Sequence, residues 1–153
     1  MEIIKFEDKY FMDVYNIVHK TIEEIYPKYY PKKVVEYFHN HHSIENMKCK
    51  LPEEYTKIIL LNRKVIGTGS CNKNDIGRFF ILPEFQNKGY GKKLLVELEL
   101  EIKQNNYENI TLASSLGAVY FYTKCGYKYS NYKIIAVEDD QFLCYLEMKK
   151  EIN

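Results

Sequence analysis

From Tyr55 onward three short runs rich in β-branched and aromatic residues, YTKIILL, KVIGTGSCN and IGRFFIL, follow one another with only NR and KND between them. Connections that short close antiparallel hairpins and leave no room for a crossover, so the middle of the chain reads as a three-stranded antiparallel meander. Ahead of it, MEIIKF reads as an opening strand. Phe11, Val14, Tyr15, Val18 and Ile22 then recur at helical spacing until the two prolines of YPKYYP break the pattern, so a first helix ends near Tyr26. Pro31 suits the first turn of a second helix, whose apolar face is Val34, Val35 and Phe38 and which ends before HNHHS.

Behind the meander, the run after Gly91 is ambiguous, because ELELEI alternates like a strand while Leu94, Leu95, Leu98 and Ile102 recur at helical spacing. A strand would line up Glu97, Glu99 and Glu101 on one face, so the segment is read as a helix. NITLAS is the next strand. Ser115 is placed to cap a short helix that Gly126 stops, with Lys124 at its negative end, and two last strands flank EDDQ as a closing hairpin. The order is that of an α/β chain with a mixed sheet (α+β). With 153 residues and no internal repeat or linker, residues 1–153 are read as one domain.

Lysine plus arginine (22) nearly balances aspartate plus glutamate (21), which removes the broad attraction that a nucleic-acid partner requires. No run is apolar enough for a membrane span and MEIIKFEDKYFMDV does not read as a secretory signal, so a cytoplasmic protein without a membrane partner is expected. Cys49, Cys71, Cys125 and Cys144 form no CxxC pair and are read as reduced, mostly buried small hydrophobes.

The stretch LPEFQNKGYGKKLL, Leu82 to Leu95, carries the chemistry. A glycine-rich turn running into a helix leaves backbone N–H groups unpaired at the positive end of the dipole, which makes an anion site. Gly89 and Gly91 let a ligand approach the backbone, and Lys88, Lys92 and Lys93 surround it with charge. Two phosphate motifs fail on spacing. A Walker A loop needs a glycine where Gln86 stands and a hydroxyl where Lys93 stands, and a dinucleotide fingerprint from Gly89 needs a third glycine at Leu94.

Gln86-Asn87-Lys88-Gly89-Tyr90-Gly91, led in by Ile81-Leu82-Pro83, resembles the coenzyme A loop of the GNAT superfamily of N-acetyltransferases, with its Q/R-x-x-G-x-G/A pattern. AVYFYTKCGY is similar to the family's later helix with its FYxKxGF/Y ending, at the expected separation. The resemblance is close from Ile76 to Tyr127 and implies a mostly antiparallel twisted sheet of about seven strands flanked by about four helices. It implies acetyl-CoA as acyl-donor co-substrate, its pyrophosphate received at Gln86, Asn87, Lys88, Gly89, Tyr90, Gly91 and Lys92, chiefly by backbone N–H groups. The pantetheine arm is then expected along Phe80, Ile81 and Leu82, with a main-chain amide near Ile81 polarising the thioester carbonyl. One departure stands out: many members open the later helix with asparagine, where this chain has Ser115 before Ala118, so Ser115 is either a cofactor contact or only a cap.

Tyr122 occupies the family's leaving-group position and is the implied general acid, since a phenol stays protonated at neutral pH and can donate to a thiolate. Tyr120 and Phe121 are expected in the core instead. No motif marks a base for the attacking amine. Asp75, His41, His42, Glu23 and Glu24 are the candidates, with water as a competitor, and Tyr26, Tyr29 and one of the histidines are placed on the acceptor wall. His39, His41 and His42 lack a further spaced ligand, so no metal is expected. The expected function is transfer of an acetyl group to a primary amine of a small molecule, amino acid or peptide, by a monomer or homodimer. The competing expectation is a non-catalytic acyl-CoA-binding or sensing module.

Overall fold

In the computed structural model, which describes residues 1–152, a seven-stranded sheet organises the chain. Strand β1 (Glu2–Lys5) opens it, and helices α1 (Phe11–Ile25), α2 (Lys32–His41) and α3 (Ile44–Lys50) precede the meander of β2 (Tyr55–Leu61), β3 (Lys64–Asn72) and β4 (Asp75–Ile81). Helix α4 (Tyr90–Gln104), strand β5 (Asn109–Ser114), helix α5 (Val119–Lys124) and the hairpin of β6 (Lys128–Ala136) and β7 (Phe142–Glu151) complete it. The spatial order is β1-β2-β3-β4-β5-β7-β6, antiparallel except where β4 meets β5.

The expected meander, the two helices before it and the closing hairpin all form. Pro31 sits one position earlier than expected, as the N-cap of α2 rather than within its first turn. Helix α3 was not foreseen: its only buried residue is Met47, so no apolar period announces it, and its local sign is Ser43, whose Oγ accepts the Asn46 N–H at 3.2 Å.

The two helix stripes define the two sides of the core. Val14, Ile17, Val18 and Ile22 of α1 pack with Ile58, Ile66 and Phe80 on one face of the sheet. Leu95, Leu98 and Ile102 of α4 pack with Ile110, Leu112, Tyr127 and Met148 on the other. The helical reading of ELELEI also explains its glutamates, which fan out to separate partners: Glu97 pairs with Lys57, and Glu99 takes Lys150 at 2.9 Å and the Tyr127 hydroxyl at 3.0 Å. Gly69 lets α4 lie close to β3, since a Cβ there would meet Phe79 Cδ2 at 2.8 Å and Leu98 Cδ1 at 2.9 Å.

Strands β4 and β5 pair in parallel only at Asp75 with Thr111 and Ile76 with Leu112. Beyond that point the β3–β4 register slips between Thr68 and Ser70, and Arg78 adopts φ +46°, a conformation rarely taken by a residue with a side chain. The bulge is anchored. The Arg78 side chain, 7% exposed, donates Nε at 3.4 Å and Nη2 at 3.2 Å to the two carboxylate oxygens of Glu54, and Nη1 at 3.2 Å to His42 Nδ1. Because a guanidinium only donates, His42 must be the neutral Nε2–H tautomer. Burial first, and the Arg78 charge second, push the His42 pKa down to about 2.

Two outcomes follow from this packing. Gly69→Ala lowers stability by about 1–3 kcal/mol in urea unfolding, because it forces Leu98 or Phe79 out of place; an unchanged midpoint would show that both side chains give way freely. A histidine held neutral in the fold but protonated when unfolded destabilises the native state as pH falls below about 6.5, since the unfolded chain then binds the extra proton. Unfolding free energy therefore drops between pH 7 and pH 5, by up to ~1.4 kcal/mol per pH unit for this residue, and His42→Asn flattens that dependence.

Candidate active site

Helix α4 begins at the glycine-rich loop with its donors free. Gly89 is the N-cap residue with φ +84°, and Asn87 is also left-handed at φ +59°. A Cβ at Gly89 would meet nothing within 4 Å, so backbone conformation rather than space requires glycine there. The first bond back into the loop is Lys93 N–H to Gly89 O at 3.2 Å. Among the described residues the N–H groups of Asn87 through Lys92 have no partner within the protein. These donors, with the dipole behind them and Lys92 beside them, form an anion cradle.

A cavity of about 610 Å³ starts at this cradle, passes Phe79, Phe80 and Ile81 of β4, and ends at Ser115, Ala118 and Tyr122. Its β4 wall offers a usable donor. Leu82 N–H is spent on Ile66 O at 2.9 Å, so that residue points towards β3, and antiparallel alternation turns the Ile81 groups the other way, into the gap that β5 leaves open. The Ile81 carbonyl is taken by Gln86 Nε2 at 2.9 Å. Gln86, with Thr21 Oγ1 at 3.4 Å, thus closes the Ile81 carbonyl, and the Ile81 N–H, which belongs to the preceding peptide, is left facing the cavity.

Of the loop and strand residues expected at the cofactor, Phe80, Ile81, Gln86, Asn87, Gly89, Gly91 and Lys92 line this cavity. Leu82, Lys88 and Tyr90 do not, and each has a reason. Leu82 is buried in the core beside α1. Lys88 folds back so that its Nζ reaches Glu84 O at 2.8 Å, over the Phe85 ring. Tyr90 packs on Phe85 with ring centroids 6.2 Å apart. The N–H groups of Lys88 and Tyr90 still belong to the free run.

Tyr122 stands where this cavity meets a second one. Its ring lies among Phe79, Phe121 and Tyr127, leaving it 6% exposed, and among the described residues its hydroxyl has no hydrogen-bond partner. Burial raises its pKa well above the ordinary phenol value, with Tyr26 adding to the effect. The expectation that Tyr120 would be core is corrected: Tyr120 is 72% exposed at the cavity rim. The cause is phase, since α5 starts at Val119 and turns Val119 and Tyr122 towards the sheet. Ser115 is corrected too. It precedes a 3₁₀ turn, Leu116–Ala118, its side chain makes no cap bond, and it lines both cavities.

The second cavity, about 370 Å³, lies on the far side of this junction, and Tyr26, Phe79, Phe80, Ser115, Ala118 and Tyr122 line both. His41, His42 and Asp75 line only the second. Burial pushes the Tyr26 pKa up to about 12, partly offset by the Ser115 hydroxyl. Tyr29 lies instead on the first cavity, where its ring covers Gly117, and Glu23 and Glu24 are exposed on α1 and line neither. Sequence reasoning missed Tyr37 and Tyr145 on the wall of the second cavity, and Tyr30, whose hydroxyl accepts Leu116 N–H and donates to Cys144 O, both at 2.9 Å. For Tyr145 the signal was alternation with Leu143 in β7; for Tyr30 there was none.

His39 leaves the expected histidine group and faces His19, Nδ1 to Nδ1 at 2.6 Å. Among the described residues no cluster of three or more His, Cys, Asp or Glu side chains is arranged to hold a metal, and no helix is long and apolar enough to cross a membrane. Cys49 is exposed, against the expectation of burial, and all four thiols are free.

Comparison with known proteins gives this geometry a family. Residues 25–152 match the model of the acetyltransferase (GNAT) domain. The fold is similar to that of a GCN5-related N-acetyltransferase from Rhodopseudomonas palustris, at 18% identity and TM-score 0.91 over 99% of this chain and 95% of that one. It is similar also to PaiA N-acetyltransferase from Thermoplasma acidophilum in complex with coenzyme A, at 19% identity and TM-score 0.77 over 99% and 98%. A ribosomal-protein-alanine N-acetyltransferase from Brucella melitensis matches at 14% identity and TM-score 0.71 over 99% and 100%. No curated protein matches the sequence. With its helix-borne anion cradle, opened sheet and matched domain, the chain belongs to the GNAT family of acetyltransferases.

Proposed function

We propose that the protein transfers an acetyl group from acetyl-CoA to a primary amine by direct attack of the amine on the thioester. The observation that carries this reading is one continuous cavity: free N–H groups from Asn87 to Lys92 at one end, the Ile81 N–H along its wall, and the Tyr122 hydroxyl where it meets the second cavity. A pyrophosphate suits the cradle because left-handed Gly89 directs unpaired donors at one spot, and the residues present therefore fit the cofactor. Acetyl-CoA, when bound, supplies the activated acyl carbon and a thiol leaving group.

The protein's own residues then do three things. Asn87 to Lys92 hold the phosphates through backbone dipoles whose direction the loop fixes in advance. Ile81 N–H faces the gap and stabilises negative charge developing on the acyl oxygen. Tyr122 donates its proton to the departing sulfur as the carbon–sulfur bond breaks and the carbon–nitrogen bond forms. The amine sheds its own proton to water. His42 is unfit for that step, being neutral with its Nδ1 lone pair committed to Arg78. A coenzyme A complex of PaiA from Thermoplasma acidophilum supports the donor side of this reading.

Tyr122→Phe lowers kcat by about 10²-fold or more in a thiol-release assay and leaves the donor Kd within about twofold. In the wild type, kcat/KM rises with pH as the amine deprotonates. Because burial raises the Tyr122 pKa, loss of its proton produces no falling limb below about pH 10. A falling limb near pH 8 that vanishes in Tyr122→Phe, or unchanged turnover in that variant, would remove the acid role. Gly89→Val, which forces a β-branched residue to positive φ, weakens acetyl-CoA binding at least about tenfold by calorimetry. Tight binding with no thiol release for any amine would mark a binding module instead.

A further inference from the structure

The two cavities differ in charge. The cofactor-side cavity is lined by Lys92 and Lys124 and no acid, whereas the acceptor-side cavity is lined by one carboxylate, Asp75, and one guanidinium, Arg78, whose charge is offset by Glu54. The cation nearest to Asp75 along β4 is Arg78, and it is unavailable as a partner because its side chain is 7% exposed and engaged by Glu54. Asp75 stands at the solvent end of the cavity, on the last stretch where β4 still pairs with β5. Thr111 Oγ1 donates to its Oδ1 at 2.8 Å, which orients the carboxylate and leaves Oδ2 without a partner among the described residues. Packing by its neighbours raises the Asp75 pKa, Thr111 opposes that shift, and Glu147 adds like charge nearby. Tyr37 and Tyr145 line the same cavity, and aromatic side chains favour a cation over an anion.

We infer that the acceptor is a dication: Asp75 binds a second ammonium at the outer end of the cavity while the attacking amine lies at the inner end, beside Phe79 and Tyr122. The inference rests on the acetyl-transfer reading and adds to it the class of acceptor. Four residue-to-residue steps of strand run from Asp75 to Phe79, so the two nitrogens are about 13 Å apart at ~3.3 Å per step, less the shortening at the bulge. An extended chain of eight carbons between two amines spans that interval. The stem of such a chain is apolar and matches the walls given by Ile76, Ile135 and Leu143.

Three acceptors of equal length, α,ω-diaminooctane, ω-aminooctanol and ω-aminooctanoate, isolate the distal charge, and each is assayed for thiol release with acetyl-CoA. The diamine is expected to exceed the alcohol in kcat/KM by roughly tenfold through KM, and the carboxylate to be the poorest. Asp75→Asn lowers the diamine-to-alcohol ratio towards one, and Asp75→Glu restores most of it. A wild-type ratio near one, or a ratio that Asp75→Asn leaves intact, overturns the inference while acetyl transfer stands. Calorimetry of the diamine against the protein with coenzyme A separates the two readings. Binding that Asp75→Asn weakens, in the absence of any turnover, keeps the cation subsite and rejects the reaction. No binding of the diamine to folded wild type rejects the subsite.

Discussion

The ladder between β4 and β5 lasts for two residue pairs, and the site exists because it ends there. Had the strands stayed paired, Ile81 N–H would be bonded to β5 and neither cavity would open between them. What stops the pairing is the bulge at Arg78, where a residue with a side chain is held at φ +46°. Such a conformation is unfavourable by roughly 1–3 kcal/mol and persists only when its surroundings enforce it. Here the enforcement is the guanidinium bound to both oxygens of Glu54 and to His42. Removing one member of a buried charge pair leaves the other unsatisfied, so strain and anchor are coupled.

That anchor links the acceptor wall to the cofactor wall. Glu54 precedes β2, His42 ends α2, and Arg78 interrupts β4, so the helices over the acceptor cavity are fastened to the strand beside the cofactor cavity. Tyr30 makes a second fastening between the α1–α2 connection, the turn before α5 and β7. The α1–α2 region lacks a motif, yet it is held at both ends by hydrogen bonds to elements that carry the motifs.

How much of this was legible in the sequence depends on whether the signal was local. Elements were legible where a period or a turn fixes them: the meander from YTKIILL to IGRFFIL, the α4 stripe of Leu94, Leu95, Leu98 and Ile102, and the hairpin about EDDQ. The cofactor loop was legible because its chemistry is backbone chemistry, and glycine spacing reports on backbone. Side-chain direction was not. Lys88 turns back to Glu84, Tyr120 faces solvent, and Ser115 holds the N-cap position without a side-chain cap bond. Each is settled by a tertiary neighbour or by the phase of a single helical turn. The Glu54–Arg78–His42 anchor joins residues 24 and 36 positions apart, and no local pattern encodes it.

The burial of Tyr122 raises a question of proton affinity. A phenol whose pKa lies above the ordinary value is a weaker acid, and against a thiol near 8.5 in water the transfer would be uphill. The comparison with water is the wrong one. Desolvation disfavours the charged form of any acid, so a thiolate leaving into the same apolar surroundings of Phe79, Phe121 and Tyr127 is also a stronger base than in water. The two shifts offset each other because both groups occupy one environment. In the proposed reaction, a developing thiolate is the partner that the Tyr122 hydroxyl lacks in the resting protein. Its isolation keeps the proton bound until that charge appears.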